Sequence, residues 1–513
     1  MLIINEGEIM DYDTIKLIGE QCKVLYLPDD KDYVVEGVAG SGKTVEALYR
    51  ALLLSLVHNE NIYIFAFNRN VVEKMKKDKQ LIVNALKMKK PDNFKANDLN
   101  QASRKIIITT IYSYMRILFG KYMQLGEFGK VPFAFENDER RELIGEIVDK
   151  YKYKNPNSIL QKRDLDFLND EIVYLLQNSI SDESKYINMD RTGRVGRISK
   201  QNDDRKIIYQ IFKEYVQRLR NGVYGRSGET YFDYDYIYWY GKEIAEKMKN
   251  EDRPKYIIID EIQDFSPSML QALNAICLTD EAASKLVLGD LDQNVFGRNI
   301  TWSSLGINIQ GRRDWKIRFT VNYRNKAGVA NLAKQMYDKL KRNDKNFDPN
   351  MQLRISDKTA ITKQVVCSLN DLETIHNIIN RSKNKVLIIF FTREDKQHFK
   401  EMVGSDVKMD NVDMDTVKRI KGLEYDDVLI YNINGYDKYL VELDDGTQGI
   451  GMDFGNDRIE ENEFKSLIYV AITRARNSVT FLMDENKIAY EEITGKKLFP
   501  ENYIDSDSLD WRI

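Results

Sequence analysis

Near-continuous runs of isoleucine, valine, leucine and phenylalanine recur along the chain. A first set comprises "YVVEGV" (33–38), "IYIFAF" (62–67), "KIIITTI" (105–111), "KYIIID" (255–260) and "KLVLGD" (285–290). A second comprises "KIRFTV" (316–321), "VLIIFF" (386–391), "DVLIYNI" (427–433) and "VTFLM" (479–483). Runs of this kind, separated by helical patterns, imply parallel strands covered on both faces. Two sets predict two α/β domains in tandem. Between 116 and 245 the period changes, and Ile208, Phe212, Tyr215 and Leu219 fall at helical spacing. This predicts a mainly helical insertion at 116–245, dividing the first α/β domain into 1–115 and 246–315 and leaving 316–513 for the second. Within the insertion, Arg191, Arg194, Arg197 and Lys200 read as a solvated basic loop, with phosphate contact the alternative.

A chain of 513 residues is too long for one ordinary core, which agrees with two or more domains. Its hydrophobic fraction of 42% suits a soluble globular protein. No apolar run approaches the roughly 20 residues that span a bilayer, so no membrane association is expected. The opening "MLIINEGEIMDYD" is acidic and lacks the basic start of a secretory signal. Cys22, Cys277 and Cys367 are isolated, and His58, His376 and His398 have no partners at metal spacing. A disulfide framework, a zinc site and a histidine-based triad are therefore not expected, and the chain reads as cytoplasmic. A net charge of −3 leaves nucleic acid open, because a binding groove needs only local positive potential.

Two stretches carry chemistry. "GVAGSGKT" (37–44) matches G-x-x-x-x-G-K-[ST] between a predicted strand and a predicted helix. The backbone of Gly37, Ala39, Gly40, Ser41 and Gly42 would converge on phosphate oxygens at a helix N-terminus. Lys43 would reach the β and γ phosphates, and Thr44 would ligate Mg²⁺. In "KYIIIDEIQDF" (255–265), Asp260 and Glu261 emerge where a buried strand ends. An aspartate there can hold the Mg²⁺ shell while the neighbouring glutamate orients and polarises the attacking water. The expected ligands are ATP and Mg²⁺.

These two motifs resemble those of the UvrD/Rep-like superfamily 1 helicases, and further matches follow in that family's order over most of the chain. They are "FAFNRN" (65–70), "TTIYS" (109–113), "FDYDYI" (232–237), "GDLDQNVFG" (289–297), "VNYRN" (321–325), "TVKRIKGLEYDDV" (416–428) and "LIYVAITRAR" (467–476). The resemblance implies an α/β fold of two RecA-like P-loop domains with parallel sheets. It implies that Gln21 reads the adenine edge, Tyr323 stacks on the base and Glu424 contacts the ribose. By the same resemblance Gln293 senses the γ-phosphate, while Arg324 and Arg474 approach it from the second domain. Arginine fingers of this kind supply about 10³–10⁵ in rate. Single-stranded DNA would be met by Phe67, Asn68, Thr110, Ser113, Phe296 and Lys418. For Tyr323, Phe67 and Phe296 the alternative is core packing, and for Arg476, beside Arg474, a surface position.

The chain departs from the family in places. The stretch between "VNYRN" and "KGLEY" is too short for the large insertion of full-length relatives, so a second accessory subdomain is expected to be missing. Lys418 stands where many relatives carry histidine and would meet phosphate as a point charge. From the short stretch after Arg476, the nuclease domain fused to some relatives is not expected. The function implied is an ATP-dependent 3′–5′ translocase or helicase on single-stranded DNA. The alternative is a nucleotide-gated ATPase subunit that licenses a partner nuclease, or another protein subunit, in DNA repair or phage defence.

Overall fold

The structure is a computed structural model. It describes residue 17, residues 22–483 with interruptions, and residues 504–505. The interruptions are 90–94, 124–132, 135–136, 190–197, 200–202, 222, 225–229, 279–282, 291–315, 342–353, 356–364, 369–371, 383–384, 404–410, 433–439, 443–447, 452–457 and 460. The nine predicted runs, with three strands that were not predicted (Val365–Ser368, Val412–Thr416 and Ile504–Asp505), form two parallel sheets of six strands each among the described residues. The first contains β1 (Tyr33–Gly37), β2 (Ile62–Ala66), β3 (Ile106–Thr110), β4 (Tyr256–Ile259), β5 (Ser284–Gly289) and β6 (Lys316–Phe319), in the order β3-β2-β4-β5-β1-β6. The second contains β7 (Val365–Ser368), β8 (Val386–Phe390), β9 (Val412–Thr416), β10 (Tyr425–Tyr431), β11 (Ala475–Met483) and β12 (Ile504–Asp505), in the order β9-β8-β10-β11-β7-β12.

The strand at 316 corrects the expected domain division. Lys316–Phe319 was expected to open the second domain, but Val34–Gly37 of β1 pairs with it residue for residue. The first sheet thus extends through residue 319. Strand composition could not reveal this, because either sheet accepts such a run at its margin.

Strand side chains alternate between two cores, as the period of two requires. Val34, Phe65, Ile257, Ile259 and Val287 belong to one cluster, while Val35, Ile64, Ile258, Leu286 and Leu288 belong to another. The second cluster is closed by helices α1 (Lys43–His58) and α2 (Arg69–Lys89), through residues such as Leu48, Ala51, Val72 and Met75. The first is closed by α3 (Ile111–Tyr122) and by the insertion helices α4 (Asn137–Lys154), α5 (Leu165–Gln177) and α6 (Asp204–Arg220). Ile208, Phe212, Tyr215 and Leu219 are all buried there. A fully buried aliphatic or aromatic side chain contributes about 1.5–3 kcal/mol. Here insertion and sheet share that gain, because they form one continuous core. In the second sheet, Leu387, Ile389, Val428, Ile430 and Phe481 pack against helix α7 (Glu461–Thr473). On its other face lie Val386, Ile388, Phe390, Leu429 and Tyr431.

A buried ionic clamp ties the helices of the insertion to the segment that closes it. In "FDYDYI", Asp233 accepts two bonds from Arg140 of α4 (2.7 and 3.0 Å) and Asp235 accepts one (2.9 Å). Tyr215 donates to Asp233 (2.5 Å), and Gln177 donates to Asp235 (3.0 Å). Removing one partner of such a group leaves uncompensated buried charge, at a cost of about 3–5 kcal/mol. Arg140→Ala is therefore expected to lower the melting temperature clearly in a thermal unfolding experiment. An unchanged transition would show that the clamp does not stabilise the fold.

Candidate active site at the seam between the sheets

The loop between β1 and α1 lies where the two sheets meet. Gly40 and Gly42 adopt φ values of +73° and +84°, in the left-handed region that glycine enters without steric cost. A Cβ at Gly40 would also sit 2.5 Å from Asn322 Oδ1 and 2.8 Å from Arg324 Cβ. Glycine thus lets the "NYRN" segment close over the loop. The Tyr323 N–H donates to Gly40 O (2.9 Å), and the Ala39 N–H donates to the Tyr469 hydroxyl on α7 (3.3 Å). Val38 and Ala39 belong to the core of the second sheet. Lys43 is buried and donates from Nζ to the carbonyls of Gly37 (2.7 Å) and Val38 (3.1 Å).

The carboxylates stand at the end of β4, opposite the start of α1. Thr44 Oγ1 donates to Asp260 Oδ2 (2.7 Å), and the Glu261 N–H donates to Asp260 Oδ1 (3.0 Å). Burial pushes the Asp260 pKa up, and the adjacent Glu261 charge adds to this. For Glu261 burial works in the same direction, but the positive charges of Lys43, Lys421 and Arg474 overcome it and hold the carboxyl below its usual range. Neighbouring acids with opposite biases are the arrangement from which distinct roles follow. The Thr44 hydroxyl and Asp260 carboxylate fit Mg²⁺, being two hard oxygen donors side by side, one of them a buried anion that a cation would stabilise. Glu261 has φ +54°, uncommon for a residue with a side chain, and its carboxylate accepts from Gln263 Nε2. Gln263 Oε1 accepts from the Asp290 N–H (3.0 Å) at the end of β5. Gln263 was missed in the sequence, although it lies within "DEIQD"; only its burial and its two partners mark it as the brace for Glu261.

The second sheet contributes the arginines. Arg474, 2% exposed, donates from Nε to Val470 O (3.1 Å) and from Nη2 to Thr473 Oγ1 (3.2 Å). Burial, and then the charge of Arg324, push its pKa down to about 10, so it remains protonated at neutral pH. Glu424, expected at the ribose, accepts ion pairs on Oε1 from Arg324 (2.6 Å) and Lys74 (2.8 Å) and on Oε2 from Arg476 (3.0 Å). These cations, with Arg474, hold its carboxyl well below the usual range despite burial. Arg476 is thus partly exposed yet tied to the site. Lys421 and Asp264 form a buried ion pair across the seam. Neither Lys74 nor this pair was singled out in the sequence, since a lysine on a predicted helix carries no signal of its distant partner.

The residues expected at single-stranded DNA divide. Asn68 accepts the Val71 N–H (2.8 Å) as the cap of α2 and donates from Nδ2 to Lys421 O (3.3 Å). Thr110 caps α3, accepting from the Ser113 N–H (3.1 Å) and donating to its hydroxyl (2.9 Å). Phe67 is half-buried, edge-on to Phe265 at 6.3 Å between centroids. Tyr323, Ser113 and Lys418 are also half-buried. Gln21, Gln293, Phe296 and the basic cluster Arg191, Arg194, Arg197 and Lys200 lie outside the described residues. No helix among the described residues is long and apolar enough to cross a membrane.

Comparison with known families matches residues 19–299 to the UvrD/REP helicase N-terminal domain and residues 369–486 to the UvrD-like helicase C-terminal domain. A human relative, TPR and ankyrin repeat-containing protein 1, is 25% identical over 260 residues, covering 45% of this chain. The match occupies 8% of that much longer protein.

The close approach at the seam is testable at Gly422. Its φ is +85°, and a Cβ there would overlap Val71 Cγ2, on a β-branched side chain that a helix holds in one rotamer. Gly422→Ala should lower the thermal unfolding temperature, with a cost of about 1–3 kcal/mol from backbone strain. Adding Val71→Ala should recover the steric part of that loss. No recovery would mean that the two residues do not touch.

Proposed function

The chain belongs to the UvrD/REP helicase family, and on that premise we propose that it is an ATP-driven translocase on single-stranded DNA, running 3′ to 5′. The observation that carries this reading is the seam itself. Lys43 and the phosphate loop come from the first sheet and Arg474 from the second, both acting on Glu261, while Arg324, paired with Glu424, stands against Gly40 of the loop. A triphosphate between them would neutralise cations now crowded together.

ATP would offer Lys43 phosphate oxygens in exchange for the Gly37 and Val38 carbonyls. Thr44 and Asp260 would hold Mg²⁺, which when bound neutralises phosphate charge. Glu261, kept ionised by its cationic neighbours and braced by Gln263, would orient the attacking water and accept its proton. Arg324 and Arg474 would meet the charge that develops on the γ-phosphate. Tyr323 would stack on the base, with Gln21 at the adenine edge, Glu424 at the ribose and Gln293 at the γ-phosphate. Loss of that phosphate removes the anion shared by both sheets, so the seam loosens and the two halves separate by one step. The strand would run past Phe67, Asn68, Thr110, Ser113, Phe296 and Lys418.

A second reading makes the chain a nucleotide-gated ATPase that licenses a partner nuclease. Its support is the short interval between Asn325 and Lys421, which β7, β8, β9 and their helices largely occupy. A strand-displacement assay with the isolated chain separates the two: unwinding supports the translocating helicase, and strand-stimulated hydrolysis without displacement supports the licensing ATPase.

Lys43→Ala should abolish ATP turnover by removing the phosphate contact. Glu261→Gln should still bind ATP but hydrolyse it about 10²–10⁴-fold more slowly, the range of general acid–base contributions. Unchanged turnover in Glu261→Gln under saturating single-stranded DNA would remove the glutamate from the chemistry.

A further inference from the structure

Helix α2 and the loop Lys421–Glu424 run alongside each other with matched contacts. At the start of the helix, Asn68 donates to Lys421 O (3.3 Å). One turn on, Val71 Cγ2 occupies the space that a Cβ on Gly422 would need. A further turn on, Lys74 pairs with Glu424 (2.8 Å). At the next turn, Asp78 lies within the field of Lys74, Glu424 and Arg476. Positions 71, 74 and 78 share one helix face, so the loop is seated on a stripe of α2.

Lys74 and Arg324 share one oxygen, Glu424 Oε1, while Arg476 holds the other. The Glu424 side chain is only 12% exposed, so these pairs are shielded from solvent more than an ordinary surface pair. If Arg324 leaves for a triphosphate, Lys74 keeps the shared oxygen neutralised. Without Lys74, that oxygen would hold Arg324 more firmly and oppose its transfer. A path of direct contacts therefore runs from the start of α2, beside Phe67 and Asn68, through Lys74 and Glu424 to Arg324.

We propose that Lys74 is a positioning residue that couples the strand-bearing start of α2 to delivery of Arg324 into the nucleotide site. This rests on the translocase reading given above.

The test compares ATP hydrolysis with and without saturating single-stranded oligonucleotide in the full chain, Lys74→Met and Lys74→Arg. In Lys74→Met the ratio of stimulated to basal kcat should fall about tenfold, within the range of coupling between linked sites. The KM for ATP and the nucleotide-free affinity for the oligonucleotide should change far less. Lys74→Arg, which preserves the charge, should restore most of the ratio. Undiminished stimulation in Lys74→Met overturns the coupling role alone. Equal loss of basal and stimulated rates, leaving the ratio intact, also overturns it, as general damage to the fold would act that way. Absence of strand stimulation in the unmodified protein overturns the translocase reading, and the coupling role with it.

Discussion

Positive charge converges where the ends of two parallel sheets meet, in a place too buried for water to screen it. Lys43 lies on the first sheet's phosphate loop, Arg474 at the entry to β11, and Arg324 in the segment closing over Gly40. Glu424 pairs with Arg324, while burial, and then the charge of Arg324, lower the Arg474 pKa. Desolvated like charges are costly unless an anion joins them.

Packing also joins the two sheets directly at the seam. Val38 and Ala39, part of the phosphate loop, are buried in the core of the second sheet, and Tyr469 accepts the Ala39 N–H. Gly40 and Gly422 permit backbone to approach side chain at distances that any Cβ would forbid. On the opposite side of the first sheet, the insertion helices complete the core above β2 and β4, which bear the segments leading to Phe67 and Asp260. A displacement at either end of those strands is transmitted through close-packed side chains rather than absorbed by them.

The sequence was most informative where chemistry depends on local spacing. The phosphate loop, the Asp260–Glu261 pair and most apolar strands could be read directly, because a buried parallel strand needs a continuous run and a phosphate loop needs glycines at fixed offsets. β9 escaped notice because "VDMDT" is a partly exposed edge strand without a continuous apolar run. The true membership of β6 was equally hidden, since "KIRF" suits the margin of either sheet.

The sequence by itself therefore determined the fold class, the order of the motifs and the residue pattern of the phosphate loop, all of which follow from residues close together in the chain. Tertiary structure alone decided which residues share a field: Lys74 with Glu424, Lys421 with Asp264, Gln263 with both Glu261 and Asp290. It also gave Asn68 and Thr110 helix-capping work that their motif positions did not suggest. The physical reason is that charge and hydrogen bonding act through space, and the pairs that join these two sheets are brought together only by packing.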